Sequence, residues 1–454
     1  MRDLPAEILF KVFDHLSRAN KLQCATVCKS WCTAALSLLN SKIHLRNSND
    51  TIILFEKLCQ IDGSFRGSSI HHLSLSNSSR ISDTQINRVV FIRILSECTN
   101  LKTLEFTDIS FDVAYLEHMV RYRNSLHLNS LQCIKTQYSS SSSYLLANWH
   151  YHQHINQLKL LTTASSFNTF QYANDLSSYL NHFAALKNLS LKFHCTIYIH
   201  SLLSACPQLE SLELTSISSS SRLEIHDNKA AIQQSSTPFQ LKYFNMGARY
   251  INQDLFEYLH DRTGHLFQLT VCQSGFENLT QIDHAFNTAL VVDTVLPIKR
   301  IIFKNNVDVS RSIILGLNDN FRALKVIDFQ SCGFNRIVDQ NCNLTLGFGE
   351  LDLDYLSIDF TTIFSFNNQV NTMSLAIQTH ALEDTVYYHR TSKWSAAHLF
   401  TRNETKRYTS ATAQRNRIYS NKISVITIEA YALRCIRMYG EGNHKSFSQI
   451  IPLD

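Results

Sequence analysis

Glycine is scarce in this chain, with eleven in 454 residues. Loops that cradle phosphate need glycine where a strand meets a helix, because the backbone must approach the ligand closely. The sequence holds no GxGxxG, P-loop, GxSxG or HExxH pattern, so the enzyme classes those motifs announce have no support here. Long apolar runs are missing too: no stretch of about 18 apolar residues exists to cross a membrane. Charge is sparse, at 17% of residues with a net +5, and makes no case for nucleic acid. Twelve cysteines form neither a CxxC pair nor a dense framework. They fit a reducing cytosol or nucleus better than secretion. A helical pattern begins at Leu4 and leaves no room for a signal peptide, so a cytoplasmic or nuclear location is expected.

What is there is apolar: 44% of residues, enough for a large core and against global disorder. The first 45 residues open with Leu4-Pro5-Ala6-Glu7-Ile8-Leu9, then Phe13, Leu16, Leu22 and Val27-Cys28-Lys29-Ser30-Trp31. Pro5 suits a first helical turn, where its missing N–H costs nothing. At 3.6 residues per turn, Ile8, Leu9, Val12, Phe13 and Leu16 share one face. Phe10 widens the apolar arc to about 200°, against the roughly 100° that one packed side needs. Asn20, with Gln23 three residues on, reads as the cap of a second helix carrying Leu22, Val27 and Trp31. So small a module has apolar surface left over for the rest of the chain, for a partner, or for both.

These residues resemble the F-box family, whose pattern begins Leu-Pro-x-Glu-Ile-Leu and ends near Val-Cys-Lys-x-Trp. Asn20-Lys21-Leu22 departs from it, because the family often has an acidic residue before that leucine. The resemblance implies docking onto the Skp-type adaptor of an SCF (cullin–RING) ubiquitin ligase. Leu4, Pro5, Ile8, Leu9, Phe13 and Leu16 are the expected adaptor contacts, supported by Val27 and Trp31, with some of these packing internally.

A phrase of the form apolar-x-x-apolar-x-apolar recurs from Ile70-Leu73-Leu75 to Val370-Met373-Leu375. Starts from 70 to 353 are separated by about 28 residues, the length of a strand-plus-helix unit. Six phrases, starting at 70, 101, 155, 186, 209 and 370, have polar residues at all three intervening positions, where chance gives about one or two. Cys98 and Cys206 each stand three residues before the leading leucine and follow a helical run, Gln85 to Glu97 and Tyr198 to Ala205. That resembles the cysteine-containing leucine-rich repeats often found behind an F-box. The asparagine or cysteine such repeats place three residues after the phrase occurs only as Asn306 and Cys332, so irregular turns are expected. Units of this kind bury their strands and helices only by stacking. The fold class implied is α/β: an F-box module at 1–45, then an irregular leucine-rich-repeat solenoid at 46–378 with parallel strands on the concave face and helices on the convex one.

Some segments interrupt the pattern. Serine runs at Ser139 to Ser143 and Ser218 to Ser221 read as loops. Residues 379–454 read as a C-terminal cap with a basic, aromatic insertion. Within it Arg390, Lys393, Arg402 and Arg407 could grip an acidic or phosphorylated target segment, or simply form a solvated face. His150, His152 and His154 alternate with no fourth ligand at suitable spacing and read as a polar surface, and Cys24, Cys28 and Cys32, four apart on an expected helix, read as small buried thiols. No metal and no cofactor is expected. Taken with the resemblance, the expectation is a non-catalytic, substrate-recognising subunit reaching cullin and RING subunits through the adaptor. The alternative is a protein-binding scaffold independent of any adaptor.

Overall fold

Pro5 closes the first turn of the opening helix: its carbonyl accepts from the N–H groups of Ile8 and Leu9 at 3.0 and 3.2 Å. The computed structural model describes residues 4–60, 65–76, 86–108, 112–137, 139–162, 175–225, 238–273, 297–305, 307–334, 337, 344–359, 372–379, 386–389, 406–408, 423–442 and 445–452. It divides into two units, Met1–Leu191 and Lys192–Asp454.

The first unit begins with three helices, α1 (Ala6–Asp14), α2 (Arg18–Cys24) and α3 (Lys29–Asn40). This corrects the expectation of one helix running from Asn20 through Trp31. Ser17, in extended backbone, caps α2 by accepting from the Asn20 N–H at 3.2 Å, which puts Asn20 inside the helix. The chain then breaks at Cys28, the extended residue before α3. Strand and helix alternate from there: β1 (Lys42–Leu45), α4 (Ser48–Cys59), β2 (His72–Ser76), α5 (Arg88–Glu97), β3 (Thr103–Asp108), α6 (Asp112–Arg121), β4 (Cys133–Lys135), α7 (Ser142–His150), β5 (Gln157–Thr162), α8 (Leu176–Leu180) and β6 (Asn188–Phe193). β1 to β4 form a parallel sheet in sequence order. Its register stacks Leu73 on Leu104 and Leu75 on Phe106. Asn and Gln N–H groups tie β5 to β4 at their starts, with Asn156 and Gln157 donating to the Gln132 carbonyl at 3.0 and 3.2 Å. Helices start where side chains accept from free N–H groups: Asn47 for α4, Asn87 for α5, Ser141 for α7 and Asp175 for α8. The run Ser139 to Ser143 is therefore partly a helix start rather than all loop. Gly67 has a steric reason, because a Cβ there would run into the Glu97 carbonyl.

The second unit continues with β7 (Thr196–Tyr198), α9 (Ile199–Ala205), β8 (Ser211–Ser216), β9 (Arg222–Glu224), β10 (Tyr243–Gly247), α10 (Gln253–Arg262), β11 (Gln268–Cys272), β12 (Arg300–Lys304), α11 (Arg311–Asn320) and β13 (Val326–Gln330). Among the described residues no helix follows Asn320; instead come β14 (Leu344–Gly347), β15 (Asp352–Leu353), β16 (Tyr355–Asp359), β17 (Thr372–Thr379), β18 (Val386–His389), β19 (Lys406–Tyr408), β20 (Ile423–Ala430), β21 (Ala432–Leu433), β22 (Cys435–Gly442) and β23 (Lys445–Pro452). Within this unit the main sheet runs β8-β10-β11-β12-β13-β16-β22-β23, parallel except for the last pair. The apolar positions of the phrases stay in register: Leu212, Phe244, Leu269, Ile301, Ile327 and Leu356 are successive partners, all buried. The turn Ser218 to Ser221 is pinned by Arg249, which donates to the Ser218 and Ser221 carbonyls at 2.9 and 3.2 Å.

One phrase lands elsewhere than its spacing implies. Met373 and Leu375 belong to β17, which pairs with β20 in a second sheet of order β14-β20-β17-β18-β19. The strand beside β16 is β22, which sets Ile436 against Leu356 and Met438 against Ile358. Leu433, Ile436 and Met438 make the same apolar spacing, and Leu433 pairs with Leu353. The phrase continues the register at 433, not at 370.

Candidate protein-binding surfaces

Helix α1 carries two apolar faces. Leu9 and Phe13 point inward at 2% and 1% exposure and meet Ala34 and Ala35 of α3. Phe10, Leu16, Cys24, Trp31 and Leu38 pack around them, with Phe13 and Trp31 edge to face at 5.2 Å between ring centroids. Turned by about 100° on the same helix, Ile8 and Val12 stay exposed at 44% and 52%, and Leu4, four residues before Ile8 and just ahead of the helix, is exposed at 51%. Leu22, Val27 and Leu36 are exposed as well.

The structure thus sorts the eight sequence-named residues. Leu4, Pro5, Ile8 and Val27 are open to solvent, and Leu16 and Trp31 are half-buried. Leu9 and Phe13 are the ones that pack internally, because the small module has Ala34 and Ala35 to close over them. Val12, Leu22 and Leu36 are exposed apolar residues beyond those eight. Val12 lies within the periodic stripe at four-residue spacing from Ile8. An exposed apolar row of this kind is costly in water, and covering each such side chain is worth about 1.5–3 kcal/mol.

The basic insertion is reached only in part. Arg390, Lys393 and Arg402 lie outside the described residues, whereas Arg407 falls on β19, paired across from Tyr388 of β18. The three alternating histidines are not on a strand. His150 ends α7, and the His152 ring accepts from or donates to the Trp149 carbonyl side at 2.6 Å through Nδ1. Cys24 and Cys32 sit on different helices, and Cys28 stands between them as an exposed cap residue. Among the described residues no group of three metal-ligating side chains exists, and no helix is long and apolar enough to cross a membrane.

The pre-strand cysteines are core atoms. Burial pushes the Cys98 and Cys206 thiols up to about 12, and Cys133 up to about 11, so all three stay protonated near neutrality. Cys332 donates from Sγ to the Phe303 carbonyl at 3.3 Å, one strand back, which is the turn-bonding role its position implies. Asn306, its counterpart, lies outside the described residues. Asn305 and Ser331, at matching places after β12 and β13, both take the left-handed conformation with φ of 59° and 54°. Ser331 donates through both its N–H and its hydroxyl to Asp359 at 3.1 Å.

Residues 1–46 match the F-box-like family model. The N-terminal three-helix module is an F-box-like domain. No curated protein matches the sequence. Among solved structures, the chain is similar to one in the crystal structure of the Rad7 and Elc1 complex in yeast, with 16% identity, 71% of this chain and 87% of that chain covered, and a TM-score of 0.33.

Proposed function

We propose that the protein is a substrate-recognition subunit of an SCF-type ubiquitin ligase, in which the F-box-like domain binds a Skp-type adaptor and the strand-and-helix units bind a target. The observation that carries this reading is the exposed row Leu4, Ile8 and Val12 on a domain whose own core is already filled by Leu9 and Phe13. An apolar face left over after folding calls for a second polypeptide. The in-register phrases support a leucine-rich-repeat architecture for the rest of the chain, with irregular turns. Cullin and RING subunits would join through the adaptor. The chain itself would supply no bond chemistry; it would raise the effective concentration of a target lysine near a ubiquitin thioester. Unbridged cysteines throughout the described residues suit a cytoplasmic or nuclear, reducing setting.

The test is co-purification. Leu4→Ala with Ile8→Ala should remove adaptor from full-length protein by at least tenfold, since two anchors of about 2 kcal/mol each are lost, while circular dichroism and melting stay unchanged. Undiminished adaptor capture by that variant, or no capture by the wild type, would favour the adaptor-independent scaffold.

A further inference from the structure

The solvent face of the first unit's strands carries charge of nearly one sign. Alternation sends Leu73, Leu75, Leu104, Phe106, Leu158 and Leu160 into the core. The other set faces out: Lys42 on β1, His72 on β2, Lys135 on β4 and Lys159 on β5. Lys102 joins them at the turn before β3, where its N–H donates to the His71 carbonyl at 2.8 Å. All four lysines are exposed. Among the described residues none of the four forms an ion pair, although Glu105 on β3 is the register partner of Lys135. In the second unit, two lysines at comparable places are matched, Lys242 to Glu210 at 2.9 Å and Lys325 to Asp352 at 2.6 Å.

We infer that this face is a docking strip for an extended, acidic segment of a partner protein. Scattered lysines on a solvated surface are ordinary. Four without an ion pair along the outward face of successive strands, with serine, threonine and the single Glu105 between them, make a field instead of a scatter. Two further groups register that field. Burial and then Lys102 hold His71 below the usual histidine range; burial, then Lys42, His71, Lys135 and Lys102, do the same for His72. His44 on β1 is held between the Ser74 and Ser76 hydroxyls at 3.0 Å each, so the remaining charges around His72 are lysines and the single Glu105.

The dimensions choose a peptide. The four paired strands at about 4.8 Å put Lys42 and Lys135 about 14 Å apart, which an extended segment at about 3.3 Å per residue spans with about four residues, and Lys159 on β5 lies beyond. Carboxylates at every second or third residue would each meet a lysine. The inference deepens the receptor reading and rests on it for taking the partner to be a ligase target, but the binding itself needs no adaptor.

The experiment therefore leaves the adaptor out. Full-length protein is titrated with a fluorescein-labelled dodecapeptide bearing glutamate at every third position, and with its glutamine counterpart. Wild type should bind the glutamate form about tenfold more tightly, with affinity falling as salt rises. Lys102→Glu with Lys135→Glu should weaken it about tenfold or more. Lys57→Glu with Arg93→Glu, the same charge change on exposed positions of α4 and α5, should have little effect. Peptide binding should also raise the titration midpoint of His72, read by NMR. Equal loss in both double variants, no binding of either peptide, or tighter binding of a single-stranded RNA of matched charge would each overturn the docking strip. Adaptor capture by the Lys102→Glu, Lys135→Glu protein should persist, so a failure here is told apart from a failure of the receptor reading.

Discussion

Phe13 and Ile8 are five residues apart on one short helix and have opposite fates. Phe13 is enclosed by Trp31, Ala34 and Ala35, while Ile8 faces water. Phe13→Ala should cost about 3–5 kcal/mol of stability in the module. Ile8→Ala should leave the denaturation midpoint almost unmoved and act only on partner binding. A denaturant titration of both variants followed through Trp31 fluorescence checks this, and equal destabilisation would refute the division into two faces. At the same scale, His71, His72, His150 and His200 all titrate below the ordinary 6.5, burial being the first cause for each. A histidine whose folded value is depressed binds fewer protons than its unfolded form. Stability should therefore fall as pH drops from about 6.5 through those lower folded values. The His71→Gln, His72→Gln protein should lose less between pH 7.5 and 5.5 in urea midpoints; an identical loss would count against the assignment.

Elements were legible where their signal was local. The strand phrases at 70, 101, 155, 186 and 209 needed only alternation, and each is a strand with its apolar side buried. The helix over Arg88–Glu97 and that over Ile199–Ala205 were readable from the apolar run and the buried cysteine after it. What failed was adjacency. Val370-Met373-Leu375 fits the phrase, but nothing in a local pattern says that β17 joins β20 while Leu433-Ile436-Met438 completes the register beside β16. The caps divided similarly: Ser17 and Asn20 are both good cap residues, and only the extended backbone at Ser17 decides between them. Truncation after Ala430 removes β22 and β23 and leaves β16 as an unpaired parallel edge with Leu356 and Ile358 behind it. The truncated chain should associate in light scattering, whereas the full-length protein stays dispersed.

Over the whole molecule, composition set the class and left the surfaces hidden. A net +5 says little about nucleic acid or protein partners. Only the pairing of strands shows that lysines without an ion pair gather on the first unit's face, while Lys242 and Lys325 of the second unit are matched by carboxylates. The apolar row on α1 is half legible, because periodicity finds both faces of the helix and packing decides which is used twice.

The order in which strands join carries a cost in time. β16 ends at Asp359 and waits for a neighbour that begins at Cys435. A chain emerging from the ribosome folds from its start, so the sheet grows steadily through β13 and β16 and then halts with a raw margin. Until residues 435–452 have been made, that margin is exposed to whatever the crowded cell offers, and guarding it during synthesis is a task for chaperones.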